Sequence, residues 1–138
     1  MNELKAAMRL AQSGMTAQSV RMRIAAENMA NVHSTGRTPG SDPYVRKTVS
    51  FESELDDALG VDLVKIDEIG EHKAPFRLER DPGHPAADDG GWVKLPNVDP
   101  LIELADMREA SRSYIANLQV LKGARESISM VLDLLRAT

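Results

Sequence analysis

The chain has 138 residues, 42% of them apolar, a net charge of −4 and no cysteine. Such a length supports one ordinary domain or a small domain with extensions, and the apolar content argues against global disorder. The basic residues form no stripe able to neutralise phosphates, which excludes nucleic acid as an expected partner, and the missing cysteines exclude disulfides and thiolate metal sites.

The opening, Met1-Asn-Glu-Leu-Lys-Ala-Ala-Met8, lacks the apolar run and small-residue cleavage pattern of a secretory signal, so export through a cleaved signal is not expected. No stretch approaches the ~18 apolar residues of a membrane span. Residues 3–32 contain no proline and one glycine, Gly14. Leu4, Met8, Ala11, Met15, Gln18, Met22, Ala25, Met29 and Val32 recur at alternating steps of four and three, and all but Gln18 are apolar. That spacing is the seam of a coiled coil. A helix of about 30 residues is roughly 45 Å long, more than a small globule needs. Ala7, Leu10, Gly14, Ala17 and Ile24 flank the seam, so the apolar face is wider than one partner helix would cover.

Residues 33–98 change character. Gly36, Pro39, Gly40 and Pro43 open a loop, and Tyr44–Phe51 reads as a strand with Val45, Val49 and Phe51 on one face. Glu52–Leu59 reads as an acidic turn or short helix. Val61–Ile69, Phe76–Arg80 and Trp92–Leu95 read as three more strands, with Phe76 and Leu78 directed inward. Four short strands predict a small, partly open sheet or barrel, marginal on its own. All five aromatic residues lie between Tyr44 and Tyr114, so any ring-rich core belongs to this middle part.

Asp99 is a sound N-cap, with Pro100 at the first helical position and Glu103 in the first turns. The stripe Met107, Ser111, Tyr114, Leu118, Leu121, Arg125, Ile128, Leu132, Leu135 predicts a second helix over 99–136, about 55 Å long. The expected fold class is α+β. Two long terminal helices form a coiled-coil domain, and a small β-rich domain is inserted between them. The expected boundaries are 1–36, 37–98 and 99–138. Because both stripes are too wide for one partner, copies are expected to pack together, with the termini ordered by assembly.

Little in the chain points to catalysis. Asp81, His84, Asp88 and Asp89 fall within nine residues and could in principle ligate a divalent cation. The Asp-Pro-Gly and Asp-Asp-Gly-Gly runs around them favour a turn instead. There is no phosphate-binding glycine motif and no hydrolase nucleophile elbow. No metal, cofactor or small-molecule substrate is expected. Asn28 and Asn31 read either as a polar exit from the first helix or as amides that set register between neighbouring helices. Asn117 poses the same choice.

Ala26-Glu-Asn28-Met-Ala-Asn31, followed by Thr35, resembles the Asn-hydrophobic-Ala-Asn-x-x-Thr signature of the bacterial flagellar rod and hook axial proteins. Pro43-Tyr-Val-Arg-Lys-x-Val-x-Phe51, Asp81-Pro-Gly-His-Pro-x-Ala-Asp88, Gly91-Trp-Val-Lys-Leu-Pro-Asn-Val-Asp99 and Glu103-x-x-x-Met107-x-x-Ala110-Ser-Arg-Ser-Tyr114-x-Ala-Asn117 resemble the family's proximal rod members. Trp92 stands where the family commonly has tyrosine, and Ile115 where a polar residue is usual.

The resemblance implies a structural, non-enzymatic subunit of the proximal rod, the periplasmic drive shaft. Its implied partners are copies of itself, other rod proteins, the inner-membrane ring base and the type III export apparatus. It implies export without signal cleavage, helices in the inner layer of the tube and the β module outside. The expected assembly interface comprises Leu4, Met8, Met15, Met22, Asn28, Met29, Asn31, Met107, Arg112, Tyr114, Asn117, Leu118, Leu121, Ile128 and Leu132. The competing expectation is a coiled-coil scaffold of another type III secretion-like assembly.

Overall fold

A computed structural model describes residues 1–137. Helix α1 spans Asn2–Ala30 and helix α2 spans Pro100–Arg136. Between them lie strands β1 (Lys47–Asp56), β2 (Val61–Glu71), β3 (Arg77–Arg80) and β4 (Trp92–Leu95). The α+β architecture with long terminal helices is the expected one. Asp99 caps α2 as its sequence suggests, its Oδ1 accepting from the Leu101 N–H at 2.9 Å ahead of Pro100. Among the described residues no helix is long and apolar enough to cross a membrane.

The helices run antiparallel. Gly14 abuts Asn117, Arg21 reaches Asp106 and Glu109, and Asn28 reaches Glu103. The residues most deeply buried on α2 are Glu103, Ala110, Leu121 and Ala124. The stripe expected from periodicity shares Leu121 with this face but runs through Ser111 and Arg125, where Ala110 and Ala124 are the buried residues. Small residues explain the offset. Ala110 and Ala124 pack on the side of α1 that carries Ala11, Gly14 and Ala25, which lets the backbones approach closely. A count weighted toward bulky residues passes over them. The larger side chains Met8, Met15, Met22, Tyr114 and Leu118 are left half-buried.

The middle departs from the expected single sheet. It holds two separate antiparallel hairpins, β1–β2 and β3–β4. Strand β1 continues through Glu52–Asp56, where an acidic turn or helix was expected, and the turn is confined to residues 57–60. Acidic residues suit this strand because one face of the hairpin is wet: Glu52 and Glu54 sit across from Lys65 and Leu63. A bulge interrupts the register, since Ser50 pairs with Glu68 but Phe51 pairs with Ile66, leaving Asp67 over. The described residues form no ring-rich core. Phe51 and Trp92 are exposed, and Leu78, expected inward, is 61% exposed. The buried side chains here are the small ones, Ala86, Val93, Pro96 and Val98.

Hairpin β1–β2 lies along α1, with Lys47 at Asn28 and Asp56 at Arg9. The lengths agree: nine strand steps give about 30 Å, and nineteen helical steps give about 28 Å. Hairpin β3–β4 is tied to the end of α1 by Arg77, whose Nε donates to the Pro96 carbonyl at 3.2 Å and whose Nη2 donates to the Val32 carbonyl at 3.3 Å.

Its long connection turns at Gly91, which has φ +80° and leaves no room for a Cβ beside Pro82. Gly91→Ala should cost about 1–2 kcal/mol for the left-handed backbone alone. Limited proteolysis of the full chain should then cut within 81–91 several-fold faster. Unchanged cleavage would contradict this role for Gly91.

Candidate assembly interface

Asn28 sits at the junction of α1, α2 and β1 and is 1% exposed. Its Oδ1 accepts from the Lys47 N–H at 2.9 Å and from the Tyr44 hydroxyl at 2.8 Å. Its Nδ2 donates to the Lys47 carbonyl at 2.9 Å and to Glu103 Oε2 at 3.3 Å. All four hydrogen-bonding capacities of the amide are therefore met inside the chain. Glu103, also 1% exposed, accepts from Arg46 Nε, and Arg46 lies 3.7 Å from Asp106. Arg21 reaches Asp106 at 3.0 Å and Glu109 at 3.1 Å. Asn97 closes the junction from the other side: its Oδ1 accepts from the Arg46 N–H at 2.8 Å, and its Nδ2 donates to the His72 and Ala74 carbonyls.

This junction holds the β module to the helix pair. A buried carboxylate without a partner would be costly, so Glu103 and Arg46 depend on each other. Tyr44, Arg46, Lys47, Asn97 and Glu103 lie outside the interface set expected from the sequence, although each falls within a motif of the family resemblance. One signal was available: Glu103 lies seven residues before Ala110 on the buried face, and a carboxylate on such a face calls for a cation. Its partner lies 57 positions away, and periodicity does not encode that pairing.

Beside the junction, Lys47 Nζ lies 2.8 Å from Glu27 Oε2. The Lys47 hydrogen bond holds the Glu27 carboxyl below its ordinary value of 4.5, and the same bond holds Lys47 above its ordinary 10.5. A depressed carboxylate contributes stability above its unfolded value and loses it as pH falls through the folded one. A raised lysine contributes below 10.5 and loses it as pH rises through its own folded value. The pair is thus intact throughout the neutral range. A carbon-detected NMR titration should place the Glu27 midpoint below 4.5; a midpoint at or above that value would contradict the contact.

The sequence treats Asn28 and Asn31 alike, and the structure separates them. Asn31 is half-buried and local: its Nδ2 donates to the Glu27 carbonyl at 2.8 Å, and its Oδ1 accepts from the Ser34 hydroxyl at 2.9 Å. It finishes α1. Asn117 likewise bonds within its own helix, to the Ser113 carbonyl, where it meets Gly14.

The remaining residues of the expected interface fall into two groups. Leu4, Met8, Met15, Met22, Met29, Met107, Tyr114, Leu118 and Ile128 are half-buried and Leu121 is buried, all along the helix pair. Arg112 and Leu132 are exposed. The opposition of Gly14 to Asn117 puts the start of α1 near residue 130, so the last turns of α2 overhang. There Met130, Val131 and Leu134 stand exposed. At the other end Leu101 is 76% exposed, with Ile102 and Leu104 beside it.

The Asp81–Asp89 loop is a turn. Asp88 Oδ1 accepts from the Gly90 and Trp92 N–H groups, both at 2.9 Å, and His84 Nδ1 accepts from the Ala86 N–H at 3.0 Å. Those ring and carboxylate atoms face the loop's own backbone. Among the described residues no group of three His, Asp or Glu side chains is arranged to hold a metal ion.

Residues 90–134 match a family model described as the C-terminal part of the flagellar basal body rod FlgEFG proteins. Curated relatives match along nearly the whole chain. A flagellar basal-body rod protein FlgC of Agrobacterium fabrum is 55% identical over 138 residues, covering 100% of this chain and 99% of its own. The protein of the same name from Escherichia coli O6:H1 is 40% identical over 126 residues, covering 91% and 92%. That of Borreliella burgdorferi is 34% identical over 151 residues, covering 96% and 98%. The junction and the paired helices described above therefore belong to a member of the FlgC family of flagellar basal-body rod proteins.

Proposed function

We propose that the chain is a structural subunit of the proximal rod, built to transmit torque through packing and performing no catalysis. The observation that carries this reading is the division of labour on the helices. Small residues make the contact between α1 and α2, while large apolar side chains at Leu101, Ile102, Leu104, Met130, Val131 and Leu134 stand exposed. Soluble monomers seldom leave so many large apolar groups in water. Copies of the chain and other rod proteins are the natural cover. The helical part, with boundaries near residues 36 and 99, is assigned to the inner assembly layer and residues 37–98 to the outside. Neighbours at its base are the inner-membrane ring and the type III export apparatus.

The interface is assigned to the half-buried and exposed members of the expected set, from Leu4 to Met29 and from Met107 to Leu132. Asn28 takes a different role, holding the β module in place inside each subunit. The junction also narrows the expectation that both helices are disordered before assembly. It pins residues near 21–30 and 100–110, so only the distal ends should await neighbours. Limited proteolysis of the isolated chain should remove both tips and spare the junction.

Deleting the gene tests the whole reading. Cells should lose motility, their basal bodies should end at the inner-membrane ring, and complementation should restore both. Mass measurement of the chain from purified periplasmic rods should show no signal cleavage. Complete rods without the chain would overturn the proposal. The rival, a scaffold of a different secretion assembly, would instead leave swimming intact.

A further inference from the structure

We infer that the β1–β2 hairpin of one copy docks on the outer stripe of α2 in a second copy. This rests on the assembly of copies proposed above and names two surfaces that meet.

The hairpin is amphipathic. Strand alternation and the observed pairing place Val49, Phe51, Leu55, Ile66, Val64 and Ile69 on one face. Four of these, Phe51, Leu55, Val64 and Ile69, are exposed. The hairpin packs on α1, through contacts such as the Val64 N–H donating to Ser13 Oγ at 3.3 Å; Val49 and Phe51 border one open cleft beside Ile24 and Ala25, and Val64 and Ile66 another beside Thr16 and Ala17. Asp62 sits on the same face opposite Leu55. Among the described residues Asp62 makes no ion pair.

The matching surface lies on α2, turned away from α1. Leu104, Met107, Arg108, Ser111, Arg112 and Ile115 line a shallow groove there, which Leu101 extends by a turn. The buried face of α2 runs through Ala110 and Leu121, roughly half a helical turn around. Among the described residues Arg108 and Arg112 have no ion-pair partner. Apolar length agrees on the two sides. From Val49 to Leu55 is about 20 Å of strand, and from Leu101 to Ile115 is about 21 Å of helix.

An apolar stripe holding two unpaired guanidiniums therefore faces an apolar sheet that carries the unpaired Asp62 carboxylate. Complementary charge of this kind sets register and excludes wrong partners. The two patches differ, so the contact is head-to-tail, and each subunit both gives a hairpin and receives one. Contacts of that type propagate into open helical assemblies.

The absence of native cysteine makes the test direct. Ser53→Cys on the apolar hairpin face and Ser111→Cys in the groove are combined in the full chain, and purified basal bodies are treated with a short bismaleimide. The expected result is a ladder at whole multiples of the chain mass. Moving the hairpin cysteine to the opposite face, Ser50→Cys, should abolish it. Reversing Arg108 and Arg112 to Glu should lower ladder yield about tenfold, and adding Asp62→Lys should restore part of it. Monomer only, an internal crosslink, or adducts with an unlike protein would overturn the docking while leaving the rod assignment standing, because the chain would still be found in basal bodies. Absence of the chain from basal bodies would overturn both.

Discussion

Asn28→Leu should all but abolish rod assembly, while Asn31→Ala should leave it nearly intact. The leucine keeps the volume and removes every hydrogen bond of the amide. The Lys47 N–H and carbonyl, the Tyr44 hydroxyl and Glu103 Oε2 each lose a partner. Stranding several buried polar groups, one of them beside a buried carboxylate, costs about 3–5 kcal/mol. Each 1.4 kcal/mol is tenfold in an equilibrium, so the population of correctly joined subunits should fall on the order of a hundredfold or more. By contrast, Asn31→Ala removes one local bond to Glu27 and one to Ser34, worth about 1–2 kcal/mol at most. Counting hook-bearing basal bodies per cell and measuring swimming halos would compare them. Equal phenotypes would mean that the junction does not organise the subunit.

Leu121→Asp and Leu134→Asp should both stop assembly, for different reasons. Leu121 is buried against α1 within the chain. A carboxylate there is unpaired and desolvated, which costs several kcal/mol and loosens the helix pair itself (about 3–5 kcal/mol for a buried charge without a partner). Leu134 is 70% exposed in the overhang of α2. Aspartate at that point changes the isolated chain very little. If neighbours cover the overhang, however, every subunit interface gains a buried charge. Circular dichroism and limited proteolysis of the purified chains should therefore show Leu121→Asp altered and Leu134→Asp unchanged, with rods absent in both strains. Normal rods with Leu134→Asp would place the overhang in solvent and remove it from the interface.

Much of the architecture was legible in the sequence because it is local. Apolar spacing marked both helices, Asp99-Pro100 marked the start of α2, and alternation marked four strands. What periodicity could not carry was pairing. Nothing local says that the strands form two hairpins rather than one sheet. That outcome follows from Pro75, which interrupts the chain between β2 and β3, and from Arg77 anchoring the second hairpin to the end of α1. Nor does spacing reveal that Glu103 meets Arg46. The buried face of α2 shares Leu121 with the apolar stripe but, in place of Ser111 and Arg125, takes the small residues Ala110 and Ala124. Their smallness is why the helices meet there, and it is why the bulkier neighbours remain free for other contacts. Each of the three asparagines makes hydrogen bonds within its own chain: Asn28 to the β module, Asn31 at the end of α1, and Asn117 within α2 beside Gly14.

If neighbouring subunits cover the exposed apolar faces of α1 and α2 in the rod, single cysteines introduced at Leu101, Ile102 and Leu134 of this cysteine-free chain report it directly. Maleimide labelling is compared between the purified chain and intact basal bodies. The expected result is rapid labelling at all three positions in the isolated chain and strong protection in the basal body, with a control cysteine at the exposed Ala58 labelled in both. Equal labelling of the helical positions in the two states would contradict the account.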